Sequence, residues 1–139
     1  MRTIPLALAL MTLSGCRAET SVQPDPTASK PTLNASALVG EWSQLYTIRG
    51  ASFVFTLTAH DSTVSGTGSY AIEAGRSGTI TVHGVAGANR TSLDFVYDYG
   101  TEAHFEGPPA ERGLLDGAMK YGPRDALIPQ FAVMLVKRR

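Results

Sequence analysis

From residue 51 to residue 121, apolar side chains recur at every second position, in runs of seven to ten residues separated by short turn-rich gaps. A period of two puts successive side chains on opposite faces, so such runs specify half-buried strands rather than amphipathic helices. In 51–59, Phe53, Phe55 and Leu57 share one face and Val54, Thr56 and Thr58 the other. In 63–72, Val64, Gly66, Gly68, Tyr70 and Ile72 oppose a row of Thr63, Ser65, Thr67 and Ser69. The same alternation puts Ile80, Val82 and Gly84 inside in 79–85, and Leu93, Phe95 and Tyr97 inside in 92–99. In 114–121 it puts Leu115, Gly117, Met119 and Tyr121 inside. Adding 39–48, 101–107 and 130–138 brings the count to about eight strands, and nothing in 38–139 has helical spacing over three turns.

Short connections make sequence neighbours antiparallel partners. Eight strands with one apolar face each suit a closed antiparallel up-and-down barrel, which also removes exposed sheet edges. The alternative is a two-sheet β-sandwich. Inward glycines weaken a strand and belong where a small barrel bends sharply or keeps space inside. Two turns fix a register. A bulged turn at Tyr99-Gly100, with Gly100 in the left-handed region, sets Asp94 opposite His104. A four-residue loop at 87–90 sets His83 opposite Asp94.

The first 37 residues read differently. Arg2 precedes an apolar run from Ile4 to Leu13 of ten residues, broken by Pro5 and Thr12. A membrane-spanning helix needs about 20 apolar residues, so the run fits a secretory leader instead. Leu13-Ser14-Gly15-Cys16 follows and resembles the lipobox of bacterial lipoproteins. The resemblance implies a leader of residues 1–15, cleavage before Cys16 and a diacylglyceryl group on its sulfur. It implies a palmitate-type anchor to the membrane, and Arg17 in place of an aspartate implies the periplasmic side of the outer membrane. Cys16 is the only cysteine, so its acylation leaves no thiol for a disulfide. Residues 16–37 form a Pro-, Ser-, Thr- and Ala-rich tether without aromatic residues, too polar to offset its ordering entropy. Residues 38–139 are then one domain.

The first strand carries Gly40-Glu41-Trp42 with the only tryptophan. A Gly-x-Trp opening a meander that ends in basic residues is similar to the calycin group of lipocalins, fatty-acid-binding proteins and avidins. The likeness implies that Trp42 closes one end of the barrel under a cation from Lys137, Arg138 or Arg139. Avidins need later tryptophans to hold biotin, and no tryptophan follows Trp42.

Chemistry is sparse. Formal charge is zero and the longest basic run is Lys137-Arg138-Arg139, which excludes nucleic acid as a partner. No nucleophile–base pair, paired carboxylates or phosphate loop emerges, so no enzyme, cofactor or metal is expected. A His83, Asp94, His104 row on the outer face reads either as a weak zinc site or as a solvated polar row. If Trp42 points inward, so do Gln44, Tyr46 and Ile48, which with Tyr70 and Tyr97 set polar tips in an apolar interior. The expected function is non-enzymatic binding of a small apolar ligand by Trp42, Gln44, Tyr46, Tyr70 and Tyr97. The alternative is a filled barrel acting by surface contact, as an inhibitor or envelope-assembly component. Its contact face would be the last strand, apolar on both sides, beside Leu127 and Ile128.

Overall fold

The computed structural model describes residues 32–47, 50–73, 75–124 and 130–139. Eight strands follow a short helix: α1 (Leu33–Leu38), β1 (Gly40–Gln44), β2 (Ala51–His60), β3 (Thr63–Ile72), β4 (Ser77–Ala86), β5 (Thr91–Tyr97), β6 (Glu102–Gly107), β7 (Leu114–Tyr121) and β8 (Phe131–Lys137). They pair in sequence order, all antiparallel, and β8 returns to β1 to close the barrel. The fold is therefore the up-and-down barrel that the alternation predicts, not the sandwich.

The inward set is the predicted one. Phe53, Phe55, Leu57, Ile80, Val82, Leu93, Phe95, Leu115 and Met119 are all buried in a single core. Both turn readings hold as well. Gly100 has φ 84°, and the β5–β6 register sets Asp94 opposite His104. The Gly87 N–H donates to the Arg90 carbonyl at 2.8 Å, and β4–β5 sets His83 opposite Asp94. The inward glycines serve strand bending. A Cβ on Gly66 or Gly68 would overlap the carbonyl oxygens of Thr56 and Val54 on β2, so only glycine permits β3 to coil so tightly against its neighbour.

One end of the barrel is closed. Thr32 caps α1 by accepting the Ala35 N–H, and its own N–H donates to the Asp61 carbonyl at 2.8 Å. Asn34 donates to the Gly87 carbonyl at 2.7 Å, so the helix is stapled to the β2–β3 and β4–β5 turns. Its inner face buries Ala35 and Leu38. Residues 33–37, read from composition as the end of the tether, are thus part of the domain. Six residues are too few to hold a helix alone, and packing on the barrel supplies what propensity does not. Trp42 lies beneath this helix, fully buried, and its Nε1–H donates to the Leu38 carbonyl at 2.6 Å. The Lys137 ammonium stands 5.9 Å from the indole centroid and donates to the Ala37 carbonyl at 3.2 Å. Arg138 pairs instead with Glu41 at 3.0 Å.

The predicted leader, the lipobox with Cys16, most of the tether, Ile48, Leu127 and Ile128 lie outside the described residues. Among the described residues no helix is long and apolar enough to cross a membrane.

Candidate functional site

The middle of the barrel is filled. Phe53, Phe55 and Phe95 meet with ring centroids 5.2 to 5.9 Å apart, the Phe55–Phe95 pair edge-on at 81°. Such contacts add to the stabilisation that burial itself gives. This plug divides the interior. Trp42, opposite Phe55 in the β1–β2 register, lies on the α1 side. Tyr70 (opposite Phe53), Tyr97 and Tyr121 lie toward the other end.

At that end a cavity of about 180 Å³ opens to solvent, with Ala51 and Ser52 at its edge. Phe53 and Ile72 form part of the wall, and Tyr70, Tyr97, Tyr99 and Tyr121 form the rest. The tyrosines are brought together by strand ends. Tyr70 and Ile72 close the inward row of β3, Tyr97 ends that of β5 and Tyr121 that of β7, while Tyr99 stands in the β5–β6 turn. Their rings touch in series, Tyr70–Tyr97 at 5.2 Å, Tyr97–Tyr99 at 5.4 Å and Tyr97–Tyr121 at 6.1 Å. Phe131 extends the series from Tyr121 at 5.6 Å.

The hydroxyls are tied into this arrangement. Tyr70 donates to Asp98 Oδ1 at 3.0 Å, and the Thr79 N–H donates to Oδ2 at 2.8 Å. Backbone hydrogen bonding from Thr79, aided by Tyr70, holds the Asp98 carboxyl below the usual carboxylate range. Burial, with the Asp98 contact second, pushes the Tyr70 hydroxyl above the ordinary tyrosine value. Burial also raises that of Tyr97, which shares a hydrogen bond with Tyr121, so the Tyr70 and Tyr97 hydroxyls stay protonated at neutral pH. Arg76 lies over the Tyr99 ring, 5.5 Å from its centroid.

Of the residues expected to hold a ligand, Tyr70 and Tyr97 meet in this cavity and three do not. Trp42 is shut behind the phenylalanines at the closed end. Tyr46 is 70% exposed, because β1 stops at Gln44 and the alternation that would turn it inward stops with it. Gln44 does face inward, on the parity of Trp42 and opposite Leu135, but it does not line the cavity. Its carboxamide is buried, with no hydrogen-bond partner among the described residues. Phe53, Ile72, Tyr99 and Tyr121 were not singled out. Parity already placed Phe53, Ile72 and Tyr121 inside, and their positions near strand ends were the missing clue. Tyr99 sits in a turn, where parity gives no direction.

The outer row is polar. His104 Nδ1 meets Asp94 Oδ1 at 2.6 Å, and Arg124 binds the same carboxylate oxygen. Burial would raise the Asp94 carboxyl, but hydrogen bonds from His104 and Arg124 outweigh it and hold the group low. His83 lies across from Asp94 yet stays exposed. Among the described residues no three His, Cys, Asp or Glu side chains converge as metal ligands. On β8, Ala132 is exposed while Met134 and Val136 are half-buried, so the outward row is less open than its sequence suggests.

Comparison with protein-family models and with curated proteins gives no match. Among solved structures the chain is similar to a redesigned beta barrel, mFAP1, in a structure bound to DFHBI. The TM-score is 0.56 at 15% identity, covering 77% of this chain and 100% of that one. At that identity the likeness concerns the fold: two barrels of one architecture, one of them holding a small molecule.

Proposed function

We propose that this protein is a binding module that takes a small, ring-sized ligand into the tyrosine-lined mouth of its barrel. The observation that carries the reading is the cavity itself. It is concave, walled by apolar and aromatic side chains and supplied with a few fixed polar groups, which is the usual design of a small-molecule site. About 180 Å³ sets the scale, since a dry apolar cavity of about 150 Å³ accepts benzene. An eight-stranded barrel has room for little more once its middle is packed. The redesigned barrel of similar fold, which holds DFHBI, is a precedent for binding on this architecture.

Saturation-transfer NMR with phenol as the probe, on the purified chain, tests the reading. Transfer to phenol is expected in the parent and is lost in Ala51→Trp, a change at the cavity edge that leaves the melting temperature within a few degrees. Equal transfer in parent and variant, or none in either, contradicts the mouth as a site.

The filled middle favours one second reading, a barrel that works through its surface. Phenol binding that Ala51→Trp abolishes separates the two.

We further infer that the barrel is held to the periplasmic side of an outer membrane through an acylated Cys16. The lipobox Leu13-Ser14-Gly15-Cys16 supports this. Thr32, the cap of α1, lies at the closed end, so a tether leading to Cys16 would join the barrel opposite its mouth. Cys16→Ser moves the protein from the membrane fraction to the soluble one. Continued membrane association of that variant, or a mature parent with a free thiol, contradicts the anchor.

A further inference from the structure

The mouth is lined by tyrosine rings next to an ionised carboxylate, a combination that selects charge as well as size. The rings pack edge to face rather than in a stack: Tyr70 meets Tyr97 at 74° and Tyr99 at 65°. The face of an aromatic ring carries negative potential and attracts a cation within about 6 Å of its centroid. One cation already responds to this, the Arg76 guanidinium over Tyr99, although Arg76 does not line the cavity. No Lys, Arg or His lines the cavity either. The Tyr70 hydroxyl donates to the Asp98 carboxylate, which leaves its ring more electron-rich and sets a negative charge one hydrogen bond behind the cavity wall, since Asp98 itself does not line it. Cations with N–H groups or tight hydration shells need acceptor atoms when they shed water, and ring faces offer few. A methylated ammonium has given up most of its hydration and presents methyl groups instead.

We propose that the mouth binds a methylated organic ammonium ion, with its methyl groups against Tyr70, Tyr97, Tyr99 and Tyr121 and its charge balanced by Asp98. This rests on the binding function proposed above and narrows the ligand class. A trimethylammonium head is about the size of a benzene ring and suits the same volume.

The test uses two probes of one shape, choline and its neutral isostere 3,3-dimethyl-1-butanol, titrated calorimetrically into the full chain at low ionic strength. Choline is expected to bind about ten-fold more tightly, the order a desolvated cation–π contact supplies. Asp98→Asn brings choline toward the isostere and leaves the isostere where it was. Arg76→Ala, an independent variant outside the cavity wall, removes a competing positive charge and tightens choline alone. Equal affinities for the two probes, both lost in Ala51→Trp, overturn the cation and leave the binding function standing. Binding of neither choline, the isostere nor phenol overturns both. Choline binding unmoved by both charge variants also overturns the proposal, since Asp98 then plays no part in it.

Discussion

Trp42 contributes through shape and through one hydrogen bond. Fully buried and bonded to the Leu38 carbonyl, it ties the first strand to the helix that covers it. Trp42→Ala is expected to cost about 3–5 kcal/mol, read as a shift in the urea midpoint followed by circular dichroism. Gln44 makes the opposite prediction. A buried carboxamide without partners among the described residues costs about 1–3 kcal/mol, so Gln44→Leu, near in size and apolar, raises the midpoint. A lower midpoint would mean that the amide is bonded within the folded chain. Two carboxylates set the acid limb of stability. Asp94 and Asp98 are both held below the unfolded value of about 4, so each binds its proton less readily when folded. Their contribution is present above pH 4 and is lost as pH falls through the folded values. Asp94→Asn with Asp98→Asn should flatten the decline in melting temperature below pH 4, and an unchanged decline would contradict these assignments.

At the scale of elements, α1 is the piece that matters most for its size. Deleting residues 1–38 exposes the Trp42 end and removes Leu38, whose burial is worth about 1.5–3 kcal/mol. A melting temperature lower by about 10 °C and a red-shifted Trp42 emission follow, and an unshifted emission would show that the helix does not cover the indole. This helix was not legible in the sequence. Leu33–Leu38 is shorter than two turns, its cap Thr32 lies in a Pro- and Ser-rich segment, and what orders it is contact with turns distant in sequence. The strands were legible for the converse reason. Each carries its own period of two, and the inward row of one fits the inward row of the next only in one register. The turns at 87–90 and Tyr99-Gly100 then fixed that register before any long-range contact was known. Parity failed where a strand ended early, as at Tyr46, and it is silent along the barrel axis. It therefore grouped Trp42 with Tyr70 and Tyr97, which the phenylalanine plug keeps apart.

The whole molecule is a cylinder with two unlike ends. One is stoppered by α1, Trp42 and Lys137, and the other opens into the tyrosine mouth, with Phe53, Phe55 and Phe95 packed between them. Closure leaves no free sheet edge, so the mouth rests on a frame that resists opening. With the bore packed, the proposed binding belongs to the mouth. Aromatic-labelled NMR during a phenol titration tests it directly. Saturable shifts of the Tyr70, Tyr97 and Tyr121 ring resonances are expected while the Trp42 indole stays fixed. Shifts at Trp42, or tyrosine resonances that never move, would contradict it.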